Sequence, residues 1–342
     1  MRDLKNKLTS SKNTKNIQSK RGKSFGYQVL GFGAGGAGEN FIAATGGNTI
    51  IDSGDFRIHA FTGPGTFAVS GLADCSANDV VDYLIVAGGG SSRLVTGSSN
   101  GGGGGGGLRV FSSSPGSNTP LIAPAGVTVS VQSYSIAVGA GGASPPSIPS
   151  GGTGNRGSDS TALGLTSTGG GATGNVGVGQ PGGSGGGGSN GPSGTTGYNG
   201  GDGNTPPVTP PQGRSGGKGF DGISASSNGG GGGGASAVGT NAACSVGGVG
   251  GDGTYIADAF IGPTAPSYGT PGPVSSTRYF AGGGGGASDG PRGAGGAGGG
   301  GQGNESVGSP TAVAGLVNTG GGAGATSSGG GSGVVLIRYK IK

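Results

Sequence analysis

Residues 100–108 read NGGGGGGGL. Glycine loses more backbone freedom on ordering than any other residue, and seven in succession bring no side chain to bury in return. Yet comparable runs return at 229–234, 282–286 and 298–301, each beside short apolar segments. Either a linker is repeated many times over, or the backbone itself holds a fold together.

Composition argues for the second. Glycine supplies 96 of 342 residues, but charged residues make up only 10%, so the charge-driven route to disorder does not apply. The chain also holds 10 Phe and 8 Tyr, and its Val, Ile and Leu fall in clusters. With 30% hydrophobic residues, many of them alanine, it cannot build the several conventional cores that its length allows. Backbone bonding has to make up the difference.

The clusters read as strands. Phe56, Ile58 and Ala60 alternate with Arg57, His59 and Phe61, the period of a half-buried strand, and Gly63-Pro64-Gly65 is a turn, so a hairpin or small sheet is expected here. Residues 82–87 (DYLIVA) run into Gly88-Gly89-Gly90, and residues 333–339 (GVVLIRY) close the sequence. Two buried strands thus bracket the glycine-rich middle and are expected to pair. Val127-Thr-Val-Ser-Val alternates between them, and Tyr134, Ile136 and Val138 continue the pattern.

A glycine run in the polyproline-II conformation turns once in three residues and advances about 3.1 Å per residue, with every N–H and C=O directed outward. Without Cβ atoms such runs approach closely and bond to several neighbours. Collagen is the rival, but its triplet phase holds only from Gly290 to Gly301 and breaks at Gln302; silk-like disorder is the alternative without a fold. The expected fold is therefore mainly β plus a polyglycine-II helix bundle, with a small antiparallel sheet bracketing a glycine-rich core and irregular loops. Its parts are a basic arm (1–30), a strand and hairpin region (31–87) and a glycine-rich domain closed by a C-terminal strand (88–342).

Charge is concentrated at one end. Residues 1–23 hold Arg2, Lys5, Lys7, Lys12, Lys15, Lys20, Arg21 and Lys23 against one acid, Asp3, leaving eleven basic and thirteen acidic side chains elsewhere. No aromatic residue precedes Phe25 and no nucleic-acid motif is present, so the arm reads as a docking element and no nucleic-acid partner is expected. Residues 1–24 lack the apolar stretch of a secretory signal, and no segment approaches the length of a membrane span; synthesis in a cytosol without ordinary export is expected. Cys75 and Cys244 stand far apart with no ligand spacing around them. They read as two small buried or partly buried thiols, with a bridge between them left open.

Enzymatic chemistry finds no constellation. His59, the single histidine, lies in an alternating strand with no Ser/Asp arrangement around it. Gly217-Lys218 is followed by Gly219 where a phosphate loop needs Ser or Thr, and Gln212 stands where its first glycine belongs. Asp202, Asp252 and Asp289 sit in glycine-flanked turns, which turn chemistry explains as well as calcium does. No catalytic, cofactor or metal site is expected.

The succession ATGGNTIIDSGDFRIHAFTGPGTFAVS (44–70), DYLIVAGGG (82–90), GGGGGLRV (103–110), the VTVSVQ to VGAGGA stretch (127–143), YFAGGGGG (279–286) and GGGSGVVLIRY (329–339) resembles the glycine-rich domain of bacteriophage tail-fibre and other virion proteins. The alternation of glycine motifs with variable inserts is similar, more distantly, to tail-fibre tip adhesins of T-even phages. The resemblance implies a virion protein assembled in the host cytoplasm, a homo-oligomer in the particle. It would attach to tail or capsid proteins through its arm and bind a host glycan or outer-membrane protein, or else serve as a spacer or decoration without a receptor. Long inserts at 204–214 and 254–281 speak against the flat face of an ice-binding protein. For receptor contact, Tyr255, Phe260, Tyr268 and Arg278 are the candidates, separated by Pro263, Pro266, Pro271 and Pro273 that stiffen the insert. Tyr279 and Phe280 are read as core.

Overall fold

A computed structural model describes residues 40–342 apart from 94–99, 115–118, 120, 146–151, 174–176, 192–195, 222–226, 306–311 and 327. The largest sheet is built on the two strands that bracket the glycine-rich middle. In order across it lie β2 (Thr49–Ser53), β3 (Phe56–Phe61), β15 (Val334–Lys340), β5 (Val80–Val86) and β6 (Leu108–Phe111), with β7 (Val127–Thr128) against the start of β5. All its pairings are antiparallel, and Leu336 of the C-terminal strand lies between Ala60 and Leu84. The expected pairing of the two bracketing strands is present.

Alternation divides the side chains of this sheet between two cores. Tyr83, Ile85, Val335, Ile337 and Tyr339 face one cluster, which includes Phe61, Phe67, Val69 and Ile136. Leu84, Val86, Val334 and Leu336 face the other, with Leu108, Ile256, Phe260, Ile261 and Phe280. Burial on both faces is why these strands read as nearly continuous apolar runs. Each buried Val, Leu or Ile contributes about 1.5–3 kcal/mol.

A second sheet packs β1 (Ala43–Thr45), β4 (Gly65–Gly71) and β8 (Ser133–Ile136) in that order. The Gly63-Pro64-Gly65 turn therefore passes the chain from one sheet to another, while the hairpin itself joins β2 to β3 through Gly54 and Asp55. Three two-stranded pairs complete the β structure: β9 (Ser160–Ala162) with β10 (Leu165–Ser167), β11 (Phe220–Asp221) with β12 (Ser227–Asn228), and β13 (Thr254–Ala257) with β14 (Thr277–Phe280). Between β9 and β10, Leu163 and Gly164 both have positive φ, as a two-residue hairpin of the right twist requires.

The expectation of a polyglycine-II helix bundle is overturned. The regular elements of the described residues are β-strands in small antiparallel sheets. The one α-helix, α1 (Asp258–Ile261), has four residues, and two short 3-10 turns lie at Ser76–Asn78 and Gly262–Ser267. No helical bundle is present among the described residues. The apolar side chains that would nucleate regular structure are spaced for strands, and the glycine runs have none of their own to pack rod against rod.

Those runs are extended chain tied by backbone hydrogen bonds to several neighbours at once. In 102–107, Gly102 and Gly105 donate to Gly230 and Gly233, Gly103 and Gly106 to Ala323 and Gly320, and Gly104 and Gly107 to Gly171 and Thr168, at 2.7–3.0 Å. The same run accepts bonds from Gly90, Gly187 and Gly284. The order repeats every three residues, so one run serves neighbours on several sides. The bracketing strands feed directly into this network, through Ala87 N–H to Gly107 O and Gly333 N–H to Gly139 O.

Candidate binding surface

Chemistry-bearing side chains are scarce, and the structure ties the single histidine and a buried ion pair up internally. Among the described residues no group of three or more His, Cys, Asp or Glu is placed to hold a metal ion. Both Cys75 and Cys244 are exposed free thiols, in place of the partly buried pair expected. His59 is buried, with Nδ1 2.6 Å from Gly46 O and Nε2 3.1 Å from the Tyr339 hydroxyl. A carbonyl only accepts, so Nδ1 carries the proton and Nε2 accepts from the tyrosine. Burial pushes the imidazole below its ordinary value, partly opposed by the Gly46 carbonyl. The ring packs edge-on to Phe67 and stacks on Tyr339, which makes it a core histidine with both nitrogens used.

A buried ion pair lies across β5 and β15. Arg338 and Asp82, opposite each other in register, are both 2% exposed. Nε and Nη2 of Arg338 donate to Asp82 Oδ2 at 3.0 and 2.5 Å, and Nη2 also reaches Ser112 and Ser114. Ser113 donates its N–H and hydroxyl to the same carboxylate. Phe56 and Phe260 pack on the guanidinium, 4.1 and 4.5 Å from its carbon to the ring centres. Burial lowers the affinity of the guanidinium for its proton, and Asp82 works against that.

The insert between Thr254 and Phe280 is a folded unit. β13 and β14 pair antiparallel, with α1 and the second 3-10 turn between them. Phe260 is 1% and Tyr268 5% exposed, and both belong to the second apolar cluster; side chains so enclosed have no surface to offer a receptor. These two aromatics serve the insert's own packing, whereas Pro263, Pro266, Pro271 and Pro273 are exposed. Tyr255 is half-buried, its ring 5.3 Å from that of Tyr279. Arg278, also half-buried, donates to the carbonyls of Tyr268 and Gly269. Tyr279 and Phe280 are buried, as expected of core residues. The basic residues Arg2, Lys5, Lys7, Lys12, Lys15, Lys20, Arg21 and Lys23 lie outside the described residues.

What the molecule does expose is a set of side-chain rows on the outermost glycine runs. In 246–252, Val246, Val249 and Asp252 are exposed, while Gly247, Gly248, Gly250 and Gly251 between them are buried. The neighbouring run exposes Pro291 and Ala294, with Ala297 half-buried, and buries Gly293 and Gly296. Gly247, Gly250 and Gly253 donate to Pro291, Ala294 and Ala297 at 2.8–3.0 Å, so the two rows are held in register. On the other side Thr240 N–H reaches Val249 O at 2.9 Å, and Val238 is 60% exposed. In extended chain, one side chain in three falls about 10 Å from the next along a run. A separate run exposes Val313, Leu316 and Val317. The signal for such rows was in the sequence, as valine or alanine every third residue in VGGVGGD (246–252) and PRGAGGAG (291–298).

The glycine scaffold and its bracketing strands match the glycine-rich domain family over residues 61–340. This chain belongs to that family. The matched region takes in β4 through β15, and with them the glycine runs and both exposed rows. No curated protein sequence matches the chain.

Proposed function

We propose that this glycine-rich domain protein is a structural component of a bacteriophage virion, a tail-fibre or tail-associated protein that binds the host surface through side chains held on its glycine-run scaffold. Its work is binding and not catalysis. The observation that carries the reading is the pair of registered rows, Val246, Val249 and Asp252 beside Pro291, Ala294 and Ala297. Contiguous exposed apolar side chains mark interaction surfaces, and a backbone bonded on several sides loses little further freedom when a partner docks. The phage setting rests on the sequence resemblance, as does the partner, a host glycan or outer-membrane protein. The basic arm, residues 1–30, is proposed to join several copies to tail or capsid proteins.

Particles carrying Val246→Glu with Val249→Glu test this reading. Slower adsorption to host cells, with normal incorporation of the protein and an unchanged melting temperature, is the expected result. Unchanged adsorption would overturn the binding role and leave a spacer or decoration protein. Absence of the protein from purified particles would overturn the virion assignment, and normal incorporation after deletion of residues 1–30 would overturn the role of the arm.

A further inference from the structure

At the end of the large sheet away from the glycine runs lies a cavity of about 350 Å³. Val86 and Val334 adjoin the runs, whereas Asp82 and Arg338 of the same strands line the cavity. Phe56 and Phe111, both half-buried, contribute aromatic carbon, and Asn78 and Ser113 contribute polar groups near them. Lys340, exposed, also lines it, with its ammonium 5.6 Å from the centre of the Phe41 ring.

Two features narrow what fits. The ionised groups lining the cavity are one carboxylate, Asp82, and two cations, Arg338 and Lys340, so it carries one unbalanced positive charge. Asp82 is already taken up by Arg338 and Ser113, whereas the hydrogen bonds of Arg338 use only Nε and Nη2, leaving Nη1 without a partner among the described residues. A buried guanidinium with a donor to spare, beside a second cation, suits a carboxylate. The volume lies at the low end of small-molecule sites. The aromatic carbon suits the C–H face of a pyranose ring, and the amide and hydroxyl suit its hydroxyl groups. An extended peptide finds no strand edge to join here. β3 lies between β2 and β15, β15 between β3 and β5, and the outer side of β6 is met by Ile122.

We propose that this cavity binds a carboxylated sugar, a hexuronic acid unit, with the carboxylate on Arg338 Nη1 and Lys340 and the ring against Phe56. The proposal rests on the host-binding reading only in taking the sugar to belong to a host glycan. The test needs no particle, so the two fail separately.

Calorimetric titration of the full chain with cellobiouronic acid, and in parallel with cellobiose, isolates the carboxylate. Saturable binding of the acid is expected, with cellobiose weaker by roughly tenfold or more, the worth of one charge-assisted hydrogen bond. Lys340→Gln, at an exposed position, should fold normally, weaken the acid by a similar factor and leave cellobiose unchanged. Failure of the acid to saturate, equal affinity for cellobiose, or full affinity for the acid in Lys340→Gln would overturn the proposal. So would displacement of the acid by an acetylated Glu-Phe dipeptide at lower concentration, which would make the cavity a peptide socket.

Discussion

Replacing Gly104 with alanine adds one methyl group to a chain that has 96 glycines, yet it should be among the more damaging changes available. A Cβ built there would lie 2.7 Å from Gly185 O and 2.8 Å from Gly185 C, and closer still to Ser184 O. Ordinary carbon contacts begin near 3.5 Å, so the neighbouring run must retreat by about 0.7–1 Å. That retreat strains the bond crossing the gap, Ser184 N–H to Gly105 O, the bond from Gly185 N–H to Arg214 O on a third run, and those of Gly104 itself with Gly171 and Gly90. Overpacking costs about 1–3 kcal/mol, and each buried bond left unmade about 1–3 kcal/mol. Alanine restricts the unfolded chain and returns about 0.4–1 kcal/mol. The balance is a loss of about 3 kcal/mol, or roughly 5 °C of melting temperature at this chain length. Gly63 is the control, since a Cβ there meets nothing within 4 Å; Gly63→Ala should leave melting unchanged or raise it slightly. Thermal unfolding followed by circular dichroism compares the two. If Gly104→Ala melts within about a degree of Gly63→Ala, the runs are loose chain and the bonding network described above does not hold the fold.

Two further outcomes follow from the buried polar groups. Because burial holds the His59 imidazole below its ordinary value, the folded state binds fewer protons there than the unfolded one; its contribution to stability is present above about pH 6.5 and is lost as the pH falls through the lower folded value. Melting temperature should therefore drop between pH 7 and pH 5.5, and His59→Phe should flatten that drop; an equal drop in the variant would refute the assignment. Asp82→Ala strands the Arg338 charge and should cost about 3–5 kcal/mol in denaturant unfolding, whereas Asp82→Leu combined with Arg338→Met should cost less than Asp82→Ala alone. A double variant as unstable as the single one would mean that the serines around the pair, and not the charge, set the cost.

The strands were legible because their signal is local. The alternation of Phe56, Ile58 and Ala60 and the apolar runs at 82–87 and 334–339 fall within β3, β5 and β15 or extend one residue beyond. Pairing of the bracketing strands followed from their positions at the two ends of the glycine-rich middle. The residues between were harder, because a glycine run carries no periodicity in hydrophobicity, and its geometry is settled by neighbours far away in sequence, such as Gly104 bonding to Gly171 and Gly90. The insert misled for a different reason. Tyr, Phe, Pro and Arg are what a presented loop would use, and they are equally what a small folded unit uses for its own core, as Phe260 and Tyr268 do. The ion pair of Asp82 and Arg338 left a trace, one charge in each of the runs 82–87 and 334–339, but only the antiparallel register places the two side by side.

The triplet phase from Gly290 to Gly301 takes on a different meaning once burial is known. Gly293 and Gly296 are buried against Gly248 and Gly251, and their Cβ positions fall on those residues' carbonyls, whereas the residue after each, Ala294 and Ala297, carries a side chain. Interior positions are thus fixed as glycine by backbone atoms, whatever the protein binds. An outward position on the same run has no such constraint, and any residue that tolerates extended chain is admitted there. Variation in what the surface presents is therefore confined to outward positions and inserts, while variation that alters stability is concentrated at the buried glycines. A scaffold built this way can change what its surface offers at Val246, Val249 or Ala294 without disturbing the hydrogen bonds underneath, because those bonds use only the backbone.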